Sequence, residues 1–208
     1  MQGDTLYRVY GDIFSGNCYK IKLLMGLLQI DHEWIPVDIL AGETDTPEFR
    51  AMNSNGKIPL LQIGESEYLP ESNAILNYLA EGTAFLPAER LTRARVLQWQ
   101  FFEQYSHEPY VAVARYIQRY LGLPDDQLEN YRSKQEGGHK ALAIMEEHLA
   151  GSDFFVGDAP TIADISLYAY THVSHEGGIE LDAYPNIRNW LDRIEALPNY
   201  VAMTAENA

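Results

Sequence analysis

Gly56-Lys57-Ile58-Pro59-Leu60-Leu61, followed after one hairpin by Pro70-Glu71-Ser72, is the stretch on which the fold of this chain turns. Pro59 stands directly before the apolar run Leu60-Leu61-Gln62-Ile63, where an inner strand needs its N–H in the ladder, so it marks a strand entry. A cis Ile58-Pro59 bond suits that entry, because cis peptides are nearly confined to X-Pro. In that geometry the N–H and C=O of Ile58 turn away from the sheet toward a cleft. An extended ligand can pair with them there as a short extra strand.

The hairpin runs from Leu60 to Leu69 with its turn at Gly64-Glu65-Ser66, and Ile75, Leu76 and Leu79 then follow at helical spacing. Ser72 reads as the N-cap of that helix. The free N–H groups and the positive end of the helix dipole make such a start a carboxylate-binding position, and Glu71 beside it attracts an ammonium group. Taken singly, Glu71-Ser72 is a capped helix and Pro59 a turn. Taken in this order, they suit one ligand with an α-amino-acid end and a peptide backbone.

Working outward, Tyr7 to Tyr10 reads as a strand and Asn17 to Leu28 as a helix with Cys18, Ile21, Met25 and Leu28 on one face. Glu33 to Val37 reads as a second strand. This is a β-α-β opening that the hairpin and the Ser72 helix complete. Past Glu81-Gly82-Thr83-Ala84-Phe85-Leu86-Pro87 every periodic segment is helical: Leu91 to Tyr120, Tyr131 to Leu149, Thr161 to His172, and Ile187 to Leu197 closed by Pro198. The spacing predicts an α/β domain over 1–81, a linker over 82–87 and an all-α domain over 88–208. Thr161-Ile162-Ala163-Asp164 matches a capping box and starts a helix that reads as the central one of its domain. Trp99, Phe101, Phe102, Tyr105 and Tyr110 crowd the long helix on more than one face, so some of them face a second subunit or a ligand cleft.

With Lys+Arg 15 against Asp+Glu 30, the net charge of the 208-residue chain is −15. Nucleic acid and anionic membrane surfaces are therefore repelled. Cys18 is the one cysteine, which excludes an internal disulfide framework and fits a reducing cytosol. No basic and apolar leader opens the sequence, and no stretch approaches the roughly 20 apolar residues of a membrane span. These features describe a cytoplasmic protein. His172-x-x-His175 with Glu176 has metal-ligand residue types, but Gly177-Gly178 ends a helix there, and a cationic histidine at a helix C-terminus accounts for the pattern without a metal.

Ser15-Gly16-Asn17-Cys18-Tyr19-Lys20, Gly56-Lys57-Ile58-Pro59, Pro70-Glu71-Ser72-Asn73-Ala74-Ile75 and the capping region from Gly157 to Asp164 together resemble the cytosolic glutathione transferases, in particular a serine-type, theta-like bacterial branch. The resemblance covers nearly the whole chain. It implies a thioredoxin-like first domain that binds glutathione as co-substrate, a helical second domain that supplies most of the electrophile site, a homodimer, no metal, and a detoxifying transferase activity. By position, Lys57 lies near the glycyl carboxylate, Ile58 gives its backbone pair to the cysteinyl part, and Glu71 and Ser72 hold the γ-glutamyl end. Asn17 and Lys20 either join them or only decorate the first helix. Phe14, Tyr105 and Tyr110 are candidates for the electrophile pocket.

The reactive form of glutathione is the thiolate, and a free thiol near pKa 8.5 is mostly protonated at neutral pH. Ser15 is the catalytic candidate. A hydroxyl is too weak a base to take the thiol proton, so its role is to donate a hydrogen bond to the sulfur anion beside the N-terminus of the first helix. Tyr10, at the end of the first strand, is a rival. Cys18 takes the second position of a C-x-x-C pattern whose first position here is an oxygen, and it reads as buried and inert. Two other activities stay open: glutathione-dependent disulfide or peroxide reduction, and a non-catalytic interaction role on the same fold.

Overall fold

A computed structural model describes residues 6–205. The chain divides into two compact units. One runs to Glu81 and takes back the chain from Pro198 onward, and the other is Gly82–Leu197. The spacing alone groups the stretch after Pro198 with the helical half.

The first unit is built on β1 (Tyr7–Gly11), α1 (Gly16–Leu28), β2 (Glu33–Pro36), α2 (Pro47–Met52), β3 (Leu60–Ile63), β4 (Glu67–Pro70) and α3 (Ser72–Ala80). The sheet order is β2-β1-β3-β4, with β1 and β2 parallel and the other pairs antiparallel. Tyr10 pairs with Leu60 in register, and both belong to a cluster with Val37, Phe49, Met52, Ile58 and Tyr68 on the α2 side. Because strand side chains alternate, Val9, Leu61 and Gly11 belong to the other face. A Cβ on Gly11 would lie 2.9 Å from Cys18 Sγ, which places α1 on that face.

α2 is missing from the sequence reading because six residues carry too little period to register. Its signal was nonetheless present: Thr46 caps it, accepting from the Phe49 N–H at 3.2 Å, and Pro47 opens its first turn. The chain after Pro198 returns to the back of α1. There the Tyr19 hydroxyl donates to the Val201 carbonyl at 2.9 Å, and Lys22 Nζ donates to the carbonyls of Met203 and Ala205.

The second unit contains α4 (Arg90–Phe102), α5 (Glu108–Arg115), α6 (Leu128–Leu149), α7 (Ile162–Thr171) and α8 (Pro185–Glu195). α4 and α5 form the single long helix expected from the spacing, but with π turns at Glu103–His107 and Tyr116–Tyr120. Pro109 lacks an N–H for the preceding ladder, and a π turn directly before it takes up the shift. Every residue of α7 is buried, as its apolar sequence predicts. The capping box is present, and Asp164 fastens the start of α7 to its surroundings. Its carboxylate accepts from the Phe155 N–H at 3.0 Å, the Thr161 N–H at 2.8 Å and Trp190 Nε1 at 3.1 Å.

Candidate active site

Two helix starts in the first unit carry the predicted residues. At the start of α1, Asp12 organises the turn: its side chain accepts from the Phe14 N–H at 2.9 Å and its carbonyl from the Ser15 N–H at 3.1 Å. Ser15 is the N-cap. Its Oγ accepts from the Cys18 N–H at 3.4 Å. Capping uses a lone pair of the serine oxygen and leaves the hydroxyl proton for donation, so cap and donor roles are chemically compatible. Burial pushes the Cys18 thiol up to about 12, against a smaller downward pull from the Ser15 hydroxyl. The protein's own sulfur thus stays protonated and inert at neutral pH.

Tyr10 stands on the other face of the sheet. Its hydroxyl donates to Gln62 Oε1 at 3.0 Å, its ring belongs to the α2-side cluster, and burial raises its pKa.

At the start of α3 the structure corrects the sequence reading by one residue. Glu71, not Ser72, is the N-cap, and Ser72 is the first helical residue. The reason is backbone conformation: Glu71 has φ 70° and ψ 110°, and its carbonyl already accepts from the Ile75 N–H at 2.9 Å. A side-chain residue at such a φ carries about 1–3 kcal/mol of strain, a cost concentrated at ligand clamps. The Glu71 side chain is exposed. Ser72 is buried, and its Oγ donates to Asn17 Oδ1 at 3.2 Å, so the two starts meet there.

The Ile58-Pro59 bond is cis, and Ile58 precedes the ladder, which begins at Leu60. Asn53, which is not among the site residues expected from the sequence, builds this loop. It is buried; its Nδ2 donates to the Lys57 carbonyl at 2.8 Å, and its Oδ1 accepts from the Asn55 N–H at 3.1 Å. An asparagine two residues before Asn55-Gly56 is an Asx-turn signal that could have found it. The Lys57 side chain is exposed.

Of the electrophile candidates, Tyr105 and Tyr110 line one cavity of about 140 Å³ in the second unit, together with Ser106, Lys140 and Ile144. The Tyr110 ring is seated by Gly137, where a Cβ would come within 2.1 Å of it. Phe14 belongs to the first unit and is exposed. The histidine pair near the end of α7 reads differently from its spacing. Burial brings the pKa of His172 down to about 4, so it is neutral rather than a cationic cap. Its Nδ1 donates to the Tyr168 carbonyl at 3.0 Å, while Glu176 pairs with Arg115 at 2.7 Å and Arg119 at 3.4 Å.

A mixed four-stranded sheet flanked by helices, followed by an all-helical unit, with a serine-capped first helix and a polar start to the third, defines the glutathione transferase fold. Residues 14–81 match the glutathione S-transferase N-terminal domain and residues 104–198 the glutathione S-transferase C-terminal domain, and the chain belongs to the glutathione S-transferase family. A crystal structure of a glutathione S-transferase from Pseudomonas fluorescens Pf-5 superposes with a TM-score of 0.94 at 55% identity, covering 96% of this chain and 99% of that one. A maleylacetoacetate isomerase of Pseudomonas aeruginosa is 28% identical over 93% of each chain. The disulfide-bond oxidoreductase YfcG of Escherichia coli is 30% identical over 88% of this chain and 87% of its own. Among the described residues no helix is long and apolar enough to cross a membrane.

Proposed function

We propose that this protein is a serine-type glutathione S-transferase of theta-like character. It holds glutathione on the first unit, stabilises its thiolate with Ser15, and directs the sulfur onto an apolar electrophile; Phe14 of the first unit and Tyr105 and Tyr110 of the second are its candidate electrophile contacts. The carrying observation is Ser15 itself, the N-cap of a 13-residue helix, whose hydroxyl stands at the positive end of that helix. In the transfer step the thiolate attacks an electrophilic carbon, a C–S bond forms, and the bond to the leaving group breaks. Asn17, Glu71 and Ser72 hold the γ-glutamyl end, and Lys57 with the Ile58 backbone holds the rest.

A second reading is glutathione-dependent disulfide or peroxide reduction. The likeness to the disulfide-bond oxidoreductase favours it, and the buried, protonated Cys18 then requires a second glutathione to complete the exchange. A homodimer fits both readings. Leu97 and Phe101 stand four residues apart and are 38% and 60% exposed, an apolar pair suited to a second copy. We place the protein in the cytoplasm.

Retention on immobilised glutathione, followed by assay against aryl halide, epoxide, peroxide and disulfide substrates, tests these readings. Product formation with a halide or epoxide is expected. Turnover of disulfide or peroxide alone favours the reductase, and failure to bind glutathione removes both. The strained clamp adds a sharper expectation. Glu71→Gly relieves the Cβ strain and raises unfolding stability by about 1 kcal/mol, while removal of the carboxylate weakens glutathione binding roughly tenfold. Denaturant unfolding and ligand titration of the same sample check the two signs together.

A further inference from the structure

Lys20 lies in the second turn of α1 and is 0% exposed, deeper than a lysine ordinarily sits. Its Nζ donates to Asn17 Oδ1 at 2.8 Å and to Ser72 Oγ at 3.4 Å. Ser72 Oγ in turn donates to the same Asn17 Oδ1 at 3.2 Å. The triangle closes between the starts of α1 and α3. An ammonium group carries donors and no acceptor. The amide oxygen of Asn17 must therefore face Lys20, and the two N–H bonds of Nδ2 turn away from both Lys20 and Ser72. With the Ser72 hydroxyl proton committed to Oδ1, the donor that Ser72 keeps for a ligand is its backbone N–H.

We propose that Lys20 is a positioning residue that sets the polarity of the carboxylate-binding site. It locks the Asn17 amide so that the Nδ2 donors, beside the positive end of α3, face the α-carboxylate of the γ-glutamyl end. The proposal rests on the glutathione reading above. Without Lys20 the amide has no fixed sense, and a flipped Asn17 meets the bound anion with a lone pair. The buried positive charge acts on the same carboxylate through a medium less polar than water.

Calorimetric titration with glutathione, and with an analogue whose γ-glutamyl α-carboxylate is an amide, tests it on the wild type, Lys20→Met, Lys20→Arg and Asn17→Asp. The wild type is expected to prefer glutathione. Lys20→Met weakens glutathione binding roughly tenfold or more and changes the affinity for the amide by less than about threefold, so the preference collapses. Lys20→Arg, which also only donates, retains most of it. Should Lys20→Met fail to fold, Asn17→Asp decides. Its carboxylate still accepts from Lys20 and Ser72 but offers the ligand no donor, so the amide is bound at least as well as glutathione. Equal losses for both ligands in Lys20→Met indicate a packing role and overturn the proposal, as does an Asn17→Asp protein that binds glutathione like the wild type. A wild type that binds neither ligand overturns the glutathione reading itself, which is seen before any substitution is made.

Discussion

Ser15→Ala is expected to lower kcat/KM for glutathione conjugation roughly 10- to 100-fold at neutral pH, the effect of losing one hydrogen bond to a charged acceptor worth about 1.5–3 kcal/mol. The direction of the pH dependence follows from what the hydroxyl does. A donor stabilises the sulfur anion and lowers the pKa of the bound thiol, so its removal raises that pKa. The rate then depends on pH over a higher range, and wild type and variant converge in alkali, where both thiols are ionised. Loss of the cap, whose 3.4 Å bond to the Cys18 N–H is long, costs stability at the lower end of about 0.5–2 kcal/mol. Ser15→Thr keeps cap and donor and is expected to retain most of the activity. A pH-rate profile that falls uniformly, with no shift of its inflection, assigns Ser15 to the helix and not to the thiolate.

Asp164→Ala is expected to be the most damaging single change to folding. Its buried carboxylate gathers the Phe155 and Thr161 N–H groups, the Thr161 hydroxyl and the Trp190 indole N–H, from the loop before α7, the cap itself and α8. Burial raises its pKa while these donors pull it down. Removing the carboxylate leaves several buried donors without an acceptor, each worth about 1–3 kcal/mol, so a loss of 3 kcal/mol or more is expected. Against a total stability of about 5–15 kcal/mol, that is enough to leave much of the protein unfolded on mild heating. Asp164→Asn keeps one acceptor oxygen and is expected to lose less. Urea unfolding of the three proteins checks the order, and a loss below about 1 kcal/mol for the alanine variant contradicts it.

Features set by a few neighbouring residues were readable in the sequence. The cis bond before Pro59, the hairpin to Leu69, the capping box at Thr161 and the burial of α7 all depend on turn chemistry or on a strong local period. What escaped depends on contacts across the chain or on backbone angles. The return of residues after Pro198 to α1 joins Tyr19 to Val201, across a separation that leaves no local sign. The one-residue shift of the α3 cap arises because Glu71 takes a positive φ, whereas residue type favours serine as a cap. Tyr10 became a rival activator because its position along β1 was known but its face was not. Pairing with Leu60 on the α2 side decides that face. Lys20 stays open between the ligand site and helix decoration in the sequence because lysine is ordinarily exposed, and only the approach of α3 shows it buried against Asn17 and Ser72.

The central claim is that Ser15 holds the bound thiol in its ionised form. The ultraviolet absorbance of the thiolate, followed against pH in the glutathione complexes of wild type and Ser15→Ala, measures that directly. The predicted result is a bound-thiol pKa roughly two units below the free value of about 8.5 in the wild type, returning most of the way toward it in the variant. Equal pKa values in the two complexes contradict the account.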